Sequence, residues 1–280
     1  MKRNFVKTLF LFLLVIPGIH LYSQNTWLLK YQFEKGKTYD QISRTTQDIV
    51  QTVNGQDIKI LSEIASTNSF QVENRDADGN ATLLFSAQDL SVRSAAMGRD
   101  TTMKYTGMKD KVRVKLTPAG KSLSSVVVDS SEVSSIVSQL NMGDMRHLPG
   151  KEVKVGETWQ DQLVVNKEKS AGSPIAMEIT TDTEYTLKGS EPVNGKELLK
   201  IAFTGTMNMK GKGMQMGMDM YLEGTGKNQG FFYYDPAAFM IVSSEDNSEM
   251  EISVAVTGPQ NLTIPMTQSV KSVTTFTERK

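Results

Sequence analysis

The chain has 280 residues, 39% of them hydrophobic, and its 31 Lys and Arg balance 31 Asp and Glu. It has no Cys and only two His, which excludes disulfides, thiolate metal sites and thiol nucleophiles and makes a two-His zinc site unattainable after loss of a leader carrying His20. Without concentrated positive charge, nucleic acid is not expected as a partner.

At the start, Lys2, Arg3 and Lys7 flank an apolar run from Leu9 to Ile16, which breaks at Pro17-Gly18 and closes on Leu21-Tyr22-Ser23. This is the plan of a secretory signal peptide, with cleavage expected after Ser23. A membrane-spanning helix needs roughly 20 uninterrupted apolar residues, and no later stretch supplies them. Losing three basic and no acidic residues leaves 28 Lys and Arg against 31 Asp and Glu, a net charge of −3. The expected product is periplasmic or extracellular, and with no Cys it has nothing to acylate.

Strand-like segments follow from Trp27 to Phe33, Tyr39 to Val53, Gln56 to Val72, Ala81 to Val92, Lys111 to Leu116 and Lys121 to Val128. Asn54-Gly55 and Asp78-Gly79 are hairpin signals, because tight turns need positive φ. The one helix candidate is Ser131 to Leu140, where Val133, Ile136, Val137 and Leu140 fall at helical spacing behind a Ser cap. Strand grammar then returns in eight segments: Leu163 to Val165, Ala176 to Leu187, Leu198 to Met209, Met214 to Leu222, Gly230 to Tyr234, Phe239 to Val242, Met250 to Val256 and Val270 to Phe276. Asn194-Gly195 marks a further hairpin. The expected fold is all-β with minor α, a long-stranded antiparallel meander.

Three weak internal matches occur in the same order at nearly one spacing. Gly36 to Tyr39 matches Gly156 to Trp159, Thr67 to Val72 matches Asp182 to Leu187, and Leu116 to Gly120 matches Tyr234 to Ala238. Thr-rich strands match one another easily, so coincidence stands beside duplication as a reading. Duplication divides the chain into a leader (1–23), a first β half with the short helix (24–146) and a second β half (147–280). The two halves would form curved sheets or a half-barrel.

The segment Leu148-Pro149-Gly150-Lys151-Glu152-Val153-Lys154-Val155-Gly156-Glu157-Thr158-Trp159 resembles one found before the second half of a family of secreted bacterial β proteins of unknown function. The shared pattern is Leu-Pro-x-Lys-x-Val-x-x-Gly-x-x-Trp, and the likeness extends to the Lys35-Gly36 start. The resemblance implies architecture and export, and carries over no catalytic residue.

Candidate chemistry is sparse. Met207 and Met209 precede Lys210-Gly211-Lys212-Gly213, read as a turn, and Met214, Met216, Met218 and Met220 follow on what reads as a second strand. Period-two alternation puts each set on one face, giving three alternatives: a face accepting apolar ligands, a thioether site for Cu(I), or an ordinary packed face. His147 reads as a solvated or locally hydrogen-bonded loop residue, with no Gly-x-Ser-x-Gly elbow to pair with it. Asp76 to Asn80 reads as a turn, since Ala87 stands where a calcium loop needs Glu. Glu245, Asp246, Glu249 and Glu251 read as a solvated hairpin tip. No catalytic residue, metal or cofactor is expected. The leading expectation is a non-enzymatic exported protein that binds an apolar or lipid-like molecule on a sheet face. The alternative is a structural or interaction module of a cell-envelope assembly, with an envelope protein as partner.

Overall fold

The computed structural model describes residues 26–130, 145–167, 175–215, 217–258 and 261–279. They form fourteen strands, with no helix among them. The leader and the helix candidate at 131–140 lie outside the described residues. In chain order the strands are β1 (Thr26–Leu28), β2 (Thr38–Val53), β3 (Gln56–Arg75), β4 (Ala81–Ala96), β5 (Arg99–Thr106), β6 (Lys111–Leu116) and β7 (Ser122–Asp129). The second half holds β8 (Glu152–Lys154), β9 (Thr158–Lys167), β10 (Ile175–Val193), β11 (Lys196–Gln215), β12 (Met218–Asp235), β13 (Met240–Thr257) and β14 (Leu262–Glu278). All pairings are antiparallel, and twelve strands share one sheet in the order β7-β6-β4-β3-β2-β14-β13-β12-β11-β10-β9, with β5 on β4. The fold is an all-β, curved, open sheet, since its end strands β7 and β9 do not pair with each other among the described residues.

The two halves therefore belong to one sheet, joined where β14 pairs with β2. Their local geometry repeats. The Gly36 amide, at φ +88°, donates to the Val72 carbonyl at 2.9 Å, and the Gly156 amide, at φ +84°, donates to the Leu187 carbonyl at 2.7 Å. Tyr39 then stacks on its cross-strand partner Phe70 at 4.9 Å, as Trp159 does on Tyr185 at 5.4 Å. These are the positions that match in the sequence.

Strands of 20 residues, as in β3 and β11, extend about 65 Å at about 3.3 Å per residue. Only one end of them is fully packed. There Tyr39, Phe70, Phe85, Tyr185, Phe203 and Phe232 meet in one core that takes the inward face of nearly every strand. The curl is tight enough that Lys121, just before β7, lies 4.0 Å from Asp161 on β9.

The expected strand from Trp27 to Phe33 is only partly one. β1 pairs with β8, but residues 29–33 leave the ladder and run into the core, burying Leu29, Tyr31 and Phe33 on alternate positions. Their amides are satisfied by separate loops: Leu29 donates to Lys151 at 3.1 Å, Tyr31 to Pro118 at 2.7 Å and Gln32 to Phe239 at 3.3 Å. A buried backbone must place every polar group, and here turns of both halves share the task. The Tyr31 hydroxyl donates to the Arg146 carbonyl at 3.0 Å and that of Tyr234 to the Lys30 carbonyl at 2.6 Å, while burial pushes both phenols above their ordinary range.

The expected turn at Lys210 to Gly213 is also corrected. Those residues continue β11, whose register with β12 runs unbroken to Gln215 paired with Met218. The chain reverses at Gly217, at φ +77°. Likewise Glu245 to Glu251 is no hairpin tip, since it lies within β13 between β12 and β14.

Candidate functional site

Above the aromatic floor the inward face turns polar. Two residues further along each strand, Tyr39 gives way to Gln41, Phe70 to Asn68, Tyr185 to Thr183, Trp159 to Asp161 and Phe276 to Thr274. Hydroxyls pair across β2 and β14, with Thr274 donating to Ser43 at 3.1 Å and Thr45 bonded to Ser272 at 3.0 Å. Arg146 enters this layer from the loop before β8. Its guanidinium carbon sits 4.2 Å from the Phe203 ring centre and 5.6 Å from that of Phe232, and it ion-pairs with Asp246. Burial, the largest influence, works against its charge, but Asp246 and Tyr185 outweigh it and the net direction is a raised pKa. Beside it, His147 Nδ1 lies 2.7 Å from Asp161 Oδ2, with both side chains 16% exposed. His147 is thus a locally bonded loop residue.

Farther from the floor the same face becomes apolar, and register decides which methionines belong to it. Met207, Met209, Met218 and Met220 lie on the face that carries Phe203 and Phe232. Met214 does not: it pairs with Asp219 on the opposite face and is 59% exposed. The misplaced turn explains this, since a continuous β11 gives Met207 and Met214 opposite parity. Met216 lies outside the described residues.

Three methionines not anticipated as part of the group join it. Met177 on β10, Met250 on β13 and Met266 on β14 face the same way, and all seven are half-buried. One row across the sheet reads Met266, Ile252, Gly224, Met209, Ile179, Val165. The next reads Ile264, Val254, Leu222, Gly211, Met177.

Inward glycines make these rows possible. A Cβ on Gly226 would come within 2.7 Å of Met250 Cγ, and one on Gly211 within 2.9 Å of Ile175 and 3.1 Å of Met177. Glycine weakens a strand interior by roughly 0.5–1 kcal/mol, and in return long neighbours lie across the notch. These close approaches come from the sheet's own side chains.

The outward face of the same strands is polar. It holds an open groove of about 740 Å³ lined by Asp48, Thr206, Lys227, Glu249, Glu251 and Thr267, among others. Glu249 and Glu251 thus face away from the methionines. Among the described residues no group of three or more His, Asp or Glu gathers that could hold a metal ion. The inward face can therefore exclude water from an apolar chain and, at the floor, hydrogen-bond a polar end.

A family model described as a family of unknown function, DUF6263, matches residues 99–241, just over half of the chain. The chain belongs to this family. The DUF6263 match runs from β5 into the start of β13 and so includes the connection between the halves, with Arg146, His147 and the methionines of β10 to β12. No curated protein is similar to the chain. Among solved structures, Pseudomonas aeruginosa OccK7 (OpdD) overlaps 89% of this chain and all of its own, at 7% identity and a TM-score of 0.26. OccK2 (OpdF) of the same organism overlaps 88% of this chain and 99% of its own at 6% identity and 0.22, and Salmonella typhi OmpF in complex with daunomycin overlaps 86% and 97% at 8% and 0.21. Overlaps at these scores carry no argument about fold or function. No helix among the described residues is long and apolar enough to cross a membrane.

Proposed function

We propose that this DUF6263 protein is an exported, non-enzymatic binding protein that holds an apolar or lipid-like molecule against the inward face of β10 to β14. The observation that carries the reading is the group of seven half-buried methionines on one face of five adjacent strands, continuous with aliphatic rows and ending at a polar layer. Thioether side chains are flexible and polarisable, so a Met-rich surface adapts to chains of varied shape. Export is supported by the leader pattern of residues 2–23. Native mass spectrometry of the protein purified without detergent tests the function, and the expected result is a co-purifying mass that organic extraction identifies as a lipid. A ligand-free spectrum, together with failure to take up added hexadecane, counts against it.

A second reading, an interaction module of an envelope assembly, is favoured by one feature. The end strand β7 is exposed along all eight residues, including Leu123, Val126, Val127 and Val128. Apolar edge strands invite pairing with another chain. Cross-linking that recovers a stoichiometric protein partner, with no lipid in the spectrum, would favour this reading.

A further inference from the structure

We infer that the ligand is an uncharged amphiphile whose hydroxyl-bearing head group, of the monoacylglycerol kind, docks in the polar layer above the aromatic floor with its chain along the methionines. The inference rests on the binding function proposed above and specifies its ligand class.

Its basis is the placement of three polar atoms. Among the described residues, three buried side-chain nitrogen or oxygen atoms hydrogen-bond to nothing: Asn68 Oδ1, Asn228 Oδ1 and Trp159 Nε1. All three side chains belong to the inward face. Asn68 is two residues from Phe70 on β3, Asn228 pairs with Gly205 just beyond Phe203, and Trp159 pairs with Tyr185 in the floor itself. Asn68 is 4% exposed, so bulk water does not relieve its oxygen. A buried polar atom without a partner costs about 1–3 kcal/mol, and native proteins keep few of them. Asn68 and Asn228 lie one inward position above the aromatic row and Trp159 in that row beneath them, where the apolar face ends, and this fits a ligand that brings both donors and acceptors. Hydroxyl groups do both.

Charge narrows the class. Among the described residues, the ionic groups that face the layer have opposite partners: Arg146 is paired with Asp246, and Asp161 with His147 and Lys121. Arg146 is further held by the faces of Phe203 and Phe232. A carboxylate or phosphate head would have to displace Asp246 to reach the guanidinium, and an ammonium head would have to displace Arg146 or His147. A neutral head disturbs neither pair.

The test is competitive uptake by the full mature protein of monopalmitoylglycerol, palmitate, lysophosphatidylcholine and hexadecane, read by native mass spectrometry. Monopalmitoylglycerol is expected to be preferred over palmitate and lysophosphatidylcholine by at least about tenfold. Asn68→Leu and Asn228→Leu are each expected to cut that preference about fivefold, the worth of one ordinary hydrogen bond, while hexadecane uptake and the circular dichroism spectrum stay unchanged. Equal uptake of all head groups, or preference for a charged one, overturns the inference and leaves the binding function standing. So does a preference that survives both variants while their thermal stability rises, because the orphan atoms are then structural only. Failure of every compound to bind, hexadecane included, removes the binding function itself.

Discussion

The same strands pack differently at their two ends. At the floor, β10 to β12 bury Leu187, Leu199, Ile201, Phe232 and Tyr234 to 0% exposure, and residues 29–33 fill the curl. Some ten residues farther along, the inward side chains of these strands are mostly half-buried, and glycines interrupt them. Interiors packed by aromatic rings in fixed contact lose much when a ring is removed. A face of methionine and glycine rearranges at little cost. The contrast assigns stability to the floor and adaptability to the far end, so variants in the two regions should separate folding from binding.

The largest effect is expected at Phe70, which is 0% exposed. It lies 4.9 Å from Tyr39, 5.1 Å from Phe85 and 6.0 Å from Phe33, ring centre to ring centre. Phe70→Ala removes the ring shared by β2, β3, β4 and the inserted segment, and should destabilise the protein by about 3–5 kcal/mol, read from urea unfolding. A loss below about 1 kcal/mol would mean the floor is as pliant as the far end, and the contrast would collapse.

The hairpins were partly legible in the sequence, and the reason lies in turn chemistry. Asn54-Gly55 and Asn194-Gly195 take positive φ at both residues, +52° and +77° in the first and +51° and +79° in the second. Asn and Gly adopt that conformation readily, so the hairpins were visible. Met97-Gly98 does the same, at +49° and +76°, but Met is not a turn residue, and β5 went unseen. Gly211 and Gly213 misled in the other direction: they read as a turn, whereas they are strand residues facing inward. The inward face was legible only in part, because Met177, Met250 and Met266 meet Met207 and Met209 through cross-strand register. Register between distant strands leaves no local mark. The pairing of β14 with β2 is hidden for the same reason, as is the approach of Arg146 to Asp246.

A smaller effect is expected at Asp235, which closes the β12–β13 turn at the floor. Its side chain is 6% exposed, its Oδ1 accepts from the amides of Ala237 at 2.9 Å and Ala238 at 3.1 Å, and its Oδ2 from Lys196 at 2.9 Å. Burial alone would raise its pKa, but Lys196 and the two amides outweigh burial and hold it below the usual carboxylate value. Asp235→Ala should cost about 1–3 kcal/mol at neutral pH, the range for a buried group in charge-assisted bonds. The pH dependence has a definite sign. A carboxyl with a depressed folded-state pKa stabilises fully above its unfolded value near about 4, and the contribution fades as pH falls through the folded value. The stability gap between wild type and Asp235→Ala should therefore be constant from pH 7 to about 5 and shrink below about 4. A gap that widens on acidification would place the group's pKa above its unfolded value and contradict the bonding geometry.

The smallest stability effects are expected among the methionines, and there the comparison is sharpest. Met209 and Met214 are five positions apart on one strand, yet they face opposite ways, and Met214 is 59% exposed while Met209 is half-buried beside Gly224 and Ile179. Met214→Ala should leave both stability and hexadecane uptake within error, because an exposed side chain on the outward face surrenders little packing. Met209→Ala should cost about 1 kcal/mol or less, since only part of its apolar area leaves contact, while hexadecane uptake falls severalfold. Residue type and strand are matched, so the pair isolates the face. Equal losses of uptake in both variants would mean that methionine content, not the inward surface, governs binding, and the assignment of that surface would fail even with the sheet intact.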